Sequence, residues 1–409
     1  MSKASASLLP RIFRDWFKSR GWKPREHQLQ LLAKAKAGRS VLLVAPTGAG
    51  KTLAGFLPSL TELAEREASR GTARDKRGPH TLYISPLKAL ATDIARNLEA
   101  PVQEMGLSIR IETRTGDTPS HKRARQIERP PDILLTTPEQ LALLLAHREA
   151  GEFFKDLRRV VLDELHSLVI SKRGDLLSLG LARLVSLAPQ ARAVGLSATV
   201  REPDDLRRYL VPQREQDPGL ADLVVVKGGA RPDIRMLELD ERLPLAGHTA
   251  SLSMPAIYEL IKQHRTTLVF VNTRLQAEYT FQELWKLNDD GLAIALHHGS
   301  LDVTQRRRVE EAMAAGRLKA VVCTATLDLG IDWVDVDLVV NVGAPKGASR
   351  IMQRIGRSNH RMDEPSQAYL VPANRFEILE CRAALDAVHE AAQDTPDART
   401  GALDVLCQH

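Results

Sequence analysis

Three cysteines stand in 409 residues, Cys323, Cys381 and Cys407, and they are scattered and odd in number. No CxxC pair occurs, so neither a disulfide framework nor a zinc ribbon is expected, and a reducing, cytoplasmic setting fits best. Also missing is any apolar run near the roughly 20 residues that a membrane span requires. The opening residues, MSKASASLLPRIFRDWF, lack the uninterrupted apolar core and small-residue cleavage site of a secretory signal, so no membrane partner is expected. Neither sign of charge dominates: 57 Lys and Arg face 51 Asp and Glu, a net +6, with a pI of about 9.2. That excess leans toward a polyanionic partner without requiring one. What is present is an apolar content of 43%, that of a packed protein, and enough length for two or three domains.

Short β-branched or apolar runs recur between helical stretches: VLLVA from Val41, TLYIS from Thr81, ILLT from Ile133, VVLD from Val160 and AVGLS from Ala193. The rhythm restarts with LVFV from Leu268, LAIAL from Leu292, AVVCT from Ala320, DLVVN from Asp337 and AYLV from Ala368. Alternation of this kind predicts an α/β protein with two domains, each a mostly parallel sheet with helices on both faces. The Pro- and Gly-rich stretch VPQREQDPGLADLVVVKGGARP separates them. The expected organisation is a first domain over 1–212, a linker over 213–232, a second domain over 233–385 and a C-terminal region from 386 to 409. REASRGTARDKRGPH, Arg66–His80, reads as a mobile surface excursion.

APTGAGKT, Ala45–Thr52, follows the first expected strand and opens an expected helix. Its small residues let backbone N–H groups wrap an anion, and the helix N-terminus adds partial positive charge. Thr47, Gly48, Ala49 and Gly50 are the candidate cradle, with Lys51 for the terminal phosphates and the Thr52 hydroxyl for Mg²⁺. The first position of GxxxxGK[ST] departs from the pattern, being Ala45. The other reading is a glycine-rich turn.

VLDELHSLV, Val161–Val169, ends an apolar run on two adjacent carboxylates. Adjacent acids repel and lose hydration if buried, so they sit either in an exposed turn or beside a cation. With a phosphate loop upstream, the second reading is preferred. Asp163 would hold Mg²⁺ through its water shell, and Glu164 would orient and deprotonate the attacking water. Zinc is disfavoured because DELH lacks the HExxH spacing.

In order and spacing, Ala45–Thr52, DELH at 163–166, SAT at 197–199 and QRIGRSNHR at 353–361 resemble superfamily 2 helicases. SPLKALATDIARNL from Ser85, RTGDT from Arg114, TTPEQL from Thr136, HHGSL from His297 and TATLDLGIDW from Thr324 narrow the resemblance. They are similar to the large helicase-related (Lhr) proteins and, among these, the ligase-associated DExH-box DNA helicases. The resemblance runs from about Trp16 to His409.

It implies two tandem RecA-like domains, with ATP in the cleft between them and single-stranded nucleic acid across both. Gln28 would read adenine, with Trp16 or Phe17 either stacking on it or packing an amphipathic helix. Arg357 would be an arginine finger, Gln353 would link to His166, Asp332 would contact the ribose, and Gly330 would let the backbone approach. Trp333 is equally a core residue. Ser197 and Thr199, with His166, would couple hydrolysis to movement. Where many relatives carry a second arginine, this chain has His360 and then Arg361, and either would meet phosphate. Lhr-type proteins commonly have histidine there.

For nucleic acid the candidates are Lys88, Thr115, Gly116, Thr137, Arg274 and Thr324, donors suited to phosphate oxygens rather than base edges. SHKRARQIER, Ser120–Arg129, reads first as a solvated helix face and second as an extension of that track. RRR at 306–308 reads the same way, and the pair His297–His298 lacks further ligands at metal-binding spacing. The expectation is an ATP- and Mg²⁺-dependent, DNA-stimulated monomeric translocase, with 3′→5′ polarity and a role in DNA repair implied by the family. Its partners would be single-stranded or 3′-tailed DNA and a DNA ligase or nuclease complex. The alternatives are an RNA helicase and an ATP-gated clamp with little unwinding. The absence of a four-cysteine set disfavours an iron–sulfur helicase. Leu403, Val405 and Leu406 near the end require a covering surface, and Lhr-type proteins continue into further modules. A truncated motor with weak unwinding is therefore expected.

Overall fold

The computed structural model describes residues 8–46, 48–70, 78–198, 200, 202–214, 217–226, 232–239, 241–327, 336–356, 365–390 and 401–408. They form two compact units, the first from 8–45, 50–226 and 401–408, the second chiefly from 232–390.

In the main sheet of the first unit the strands are β1 (Val41–Val44), β2 (Thr81–Ile84), β3 (Ile111–Arg114), β4 (Ile133–Thr136), β5 (Arg159–Leu162), β6 (Arg192–Ser197) and β7 (Asp222–Val225). Their order across the sheet is β3-β4-β2-β5-β6-β1-β7, and every pairing is parallel. All four residues of β1, β2, β4 and β5 are buried, which is why these strands are apolar apart from Thr81, Thr136 and Arg159 at their ends and show no polar alternation. At the edge, β3 reads IETR, mostly half-buried, and its charged side chains blunt an unpaired strand edge. Leu141, Phe154, Leu162, Leu168 and Leu177 lie in the core on one face, each under about 2% exposed. Each contributes about 1.5–3 kcal/mol of burial.

The segment expected to be linker supplies β7, which pairs with β1 through Val41↔Asp222 and Val44↔Val225. The first unit thus continues past residue 212, because LVV completes a sheet edge that β1 would otherwise expose. The helix Lys51–Arg70 runs into the expected Arg66–His80 excursion, and residues 71–77 lie outside the described residues. Near the end, helix Leu403–Gln408 packs on helix Lys172–Leu187. Val405 is buried there, while Leu403 and Leu406 remain 68% and 54% exposed. Lys172 and Asp404 form an ion pair at this seat.

The second unit contains β8 (Asp233–Met236), β9 (Thr267–Phe270), β10 (Ile294–His297), β11 (Ala320–Cys323), β12 (Leu338–Val342) and β13 (Gln367–Val371). Its sheet runs β8-β13-β12-β9-β11-β10, again with parallel pairings. Cores on both faces hold Ile257, Val269 and Val340 on one side and Phe270, Val339 and Leu370 on the other. Among the described residues no helix is long and apolar enough to cross a membrane.

Candidate functional site

Strand order decides which motifs meet. With β2, β5, β6 and β1 side by side and parallel, the residues that follow each strand emerge at one edge of the first sheet. Those residues are SPLK, DELH, SAT and the phosphate loop. The C-terminal edge of a parallel sheet is where open α/β folds bind ligands.

The loop after β1 turns with Gly48 and Gly50 at φ +75° and +73°, conformations that favour glycine. Lys51 opens the helix and donates from Nζ to the Ala45 carbonyl at 2.9 Å. Gln28 lies beside this loop: its Oε1 accepts from Arg25 N–H at 2.9 Å and its Nε2 reaches the Gly50 carbonyl at 3.5 Å. Trp16 and Phe17 are buried, and Trp16 donates from its indole to Glu104 at 2.7 Å, so the packing reading of that helix holds.

Asp163 is 5% exposed. One carboxylate oxygen accepts from the Tyr83 hydroxyl at 2.6 Å and the other from the Glu164 N–H at 2.9 Å. Burial and then the neighbouring Glu164 charge raise its pKa, while the Tyr83 and Glu164 hydrogen bonds and Lys51 pull it down. The site thus favours a cation beside Asp163. Thr52 and Asp163 offer one hydroxyl and one carboxylate, the sparse oxygen set with which proteins hold Mg²⁺ when phosphates complete the shell. The residues fit that ion.

Glu164 sits at φ +49°, ψ +41°. Apart from Ala250, it is the one non-glycine with positive φ among the described residues. A left-handed glutamate costs on the order of 1–2 kcal/mol, and such strain concentrates at functional sites. His166 lies 3.4 Å away through Nε2. Its Nδ1 accepts from the Ala198 N–H at 3.3 Å, which assigns the ring proton to Nε2, facing Glu164. Burial lowers the His166 pKa and keeps the ring neutral, with Glu164 opposing and Lys51 reinforcing the shift. Ser197 Oγ lies 3.2 Å from the same Nδ1, and the Ser197 carbonyl accepts from Ala45 N–H at 3.1 Å. The structure therefore connects His166 and Ser197 with the strand that carries the phosphate loop.

A second cluster lies at the ends of β2, β3 and β4. Lys88 is ion-paired with Asp117 at 2.9 Å, both exposed, a pair weak enough for a phosphate to displace. A side chain on Gly116 would meet the Lys88 ammonium at 2.9 Å. Arg123 organises this loop, donating to the carbonyls of Thr118 at 2.7 Å and Gly116 at 2.8 Å. Thr137, which follows β4, is buried. SHKRARQIER is thus not simply a solvated face: Arg123 and Gln126 turn inward, whereas Arg307 and Arg308 of RRR remain exposed. In the second unit, Arg274 begins helix Arg274–Lys286 and Thr324 follows β11, so both stand at C-terminal ends of neighbouring strands. Gln353 lies on helix Ala348–Ile355. Thr47, Thr199, Gly330, Asp332, Arg357 and His360 lie outside the described residues, as do Trp333 and Arg361.

Tyr83 and Arg123 were not among the sequence candidates. A tyrosine in the middle of a buried strand needs a hydroxyl partner, and that signal was available for Tyr83. Nothing in the sequence singled out Arg123 from its basic neighbours.

The DEAD/DEAH box helicase family model matches residues 25–206 and the helicase conserved C-terminal domain model matches 253–362. The chain belongs to the superfamily 2 helicases, Lhr type. It is 37% identical to the ATP-dependent helicase Lhr-Core of Methanothermobacter thermautotrophicus, over 98% of this chain and 48% of that protein. Identity to the Lhr helicase/probable uracil glycosylase of Mycolicibacterium smegmatis is 34%, over 97% of this chain and 29% of that protein. The solved structure of Mycobacterium smegmatis helicase Lhr bound to ssDNA and AMP-PNP superposes with a TM-score of 0.85 at 34% identity, covering 99% of this chain and 53% of that one. This helicase chain therefore spans about half the length, or less, of these relatives.

Proposed function

We propose that this chain hydrolyses ATP with Mg²⁺ and uses the energy to move 3′→5′ along single-stranded DNA, in the service of DNA repair. One observation carries the reading: Lys51, Asp163, Glu164, His166 and Ser197 emerge from neighbouring strands at one sheet edge, where His166 bridges Glu164 and the Ser197–Ala198 segment. The single-stranded DNA and AMP-PNP held by the Mycobacterium smegmatis relative support it.

Lys51 and the loop N–H groups bind the terminal phosphates, and Gln28 borders the nucleotide. When bound, Mg²⁺ supplies charge neutralisation at the phosphate oxygens, with Thr52 and Asp163 as its protein ligands. Tyr83 fixes the Asp163 carboxylate in place. Glu164 orients water and accepts its proton, while the neutral Nε2–H of His166 steers the glutamate. Gln353 is assigned to His166, Arg357 to the γ-phosphate, His360 or Arg361 to phosphate, and Gly330 and Asp332 to the ribose side. Lys88, Thr115, Gly116 and Thr137, with Arg274 and Thr324, hold the strand by its phosphates. The working form is a monomer, with a ligase or nuclease complex as partner.

The test is steady-state ATPase without nucleic acid, with single-stranded DNA and with single-stranded RNA, at two salt concentrations. Strong stimulation by DNA alone is expected. Stimulation by RNA alone would replace the substrate, and no stimulation by either would remove the motor.

A further inference from the structure

The opposite edge of the first sheet carries charge that the motor does not use. Arg159 opens β5 and Arg192 opens β6. At about 3.3 Å per residue, the start of β5 lies roughly 13 Å from its acidic end. With Arg158 and with Arg66 from the helix Lys51–Arg70, they line a pocket of about 480 Å³ that also includes Glu62 and Glu65.

The two carboxylates are already answered. Glu62 bonds to Arg159 and to His80, and Glu65 pairs with Lys36 at 2.9 Å. Leaving Arg66 aside, three guanidinium groups against two carboxylates leave an excess of one positive charge. That excess outweighs the roughly half negative charge at the C-terminus of the helix carrying Arg66. Arg159 is 5% exposed, and its Nη2 donates to the Ala35 carbonyl at 2.8 Å and to Glu62. Its Nε is buried without a partner. Arg192 is held in place by the Gly38 carbonyl on Nε at 2.7 Å and by the Pro189 carbonyl on Nη1 at 2.9 Å. Arg158 is exposed and has no ion-pair partner among the described residues. Among the described residues no aromatic side chain lines the pocket, so these offer no stacking surface for a base.

We infer that this pocket is a second anion site, separate from the nucleotide loop, that binds a phosphate group. Preorganised guanidinium forks match phosphate oxygens better than any other donor set, and an unanswered buried Nε is costly until an acceptor arrives. The phosphate comes either from a small phosphorylated molecule or from a nucleic-acid backbone, and the two sources are separable.

Inorganic pyrophosphate is titrated by calorimetry into the full chain carrying Lys51→Ala, with and without Arg158→Glu. Arg158 is exposed and has no ion-pair partner among the described residues, so its reversal should leave the fold intact, which thermal melting checks. Pyrophosphate binding should persist in Lys51→Ala and weaken about tenfold when Arg158→Glu is added, a difference of about 1.4 kcal/mol. In the second arm, oligo(dT) binding to Arg158→Glu in the otherwise native chain is followed against salt. A slope shallower by about 0.7 identifies a backbone phosphate as the ligand. Either change supports the site and names its source. Pyrophosphate binding lost with Lys51→Ala alone, together with an unchanged oligo(dT) slope, overturns it. DNA-free ATPase in Arg158→Glu should stay within about twofold of native, and a tenfold fall would assign the arginine to the motor and also overturn the inference.

Discussion

Glu164 combines two demands, a reactive carboxylate and a left-handed backbone, and substitutions separate them. Glu164→Gln should keep ATP binding and lose about 10²–10⁴-fold in turnover, since an amide cannot accept the water proton. Native turnover in that variant would remove Glu164 as the base. Both Glu164→Gly and Glu164→Ala should be inactive, yet the glycine variant should be the more stable by about 1 kcal/mol, because φ +49° costs glycine nothing. Paired urea melts read this, and a less stable glycine variant would show that the backbone there is unstrained. The opposite sheet edge holds a second residue-scale consequence. Burial lowers the His80 pKa, against the Glu62 hydrogen bond and with help from Arg66 and Arg159. Burial alone would raise Glu62, but hydrogen bonds from His80 and Arg159 outweigh it and bring the carboxyl to about 2. Below the unfolded histidine value near 6.5 the unfolded chain binds a proton that the folded chain refuses, so stability falls with pH. Glu62 adds to the loss between about 4.5 and about 2. His80→Gln should therefore show a smaller drop in Tm between pH 7.5 and 5.5 than the native chain, and an equal or larger drop would contradict a buried neutral histidine.

Among the elements, the loop 115–118 depends on a helix that looks like plain solvated charge. Arg123→Ala removes the donors to Thr118 and Gly116 and should raise the DNA concentration for half-maximal ATPase stimulation about 3–10-fold, leaving kcat at saturating DNA intact. A fall in kcat with unchanged half-saturation would place Arg123 elsewhere in the cycle. Contiguity explains what could be read from sequence at this scale. The phosphate loop and DELH each fit within a few residues and announce their strand and helix context, so they were legible. Tyr83 meets Asp163 across 80 residues, and only the strand order β2-β5 makes them neighbours. β7 was hidden for the same reason. Its Pro- and Gly-rich flanks suggest a linker, and the strand exists because β1 offers it an edge.

For the whole molecule, a net charge of +6 and donors aimed at phosphates make binding to single strands an electrolyte problem. With three to five phosphate contacts, affinity for oligo(dT) should fall roughly 20–130-fold from 50 to 200 mM salt, with little change between base sequences. Filter binding across that range measures it, and a flat salt response would contradict a phosphate-tracking surface. The two-sheet plan was legible in the repeated rhythm of strand and helix. The return of helix Leu403–Gln408 to the first unit was not, because a six-residue apolar pattern does not name its seat. That return has a consequence in time. Lys172 and Asp404 are separated by 232 residues. At synthesis rates of about 5–20 residues per second, the helix reaches its seat roughly 10–50 seconds after Lys172 is made. Throughout that interval the nascent first unit presents the seat that Val405 later covers, so its completion is ordered by the ribosome after the second unit has been synthesised.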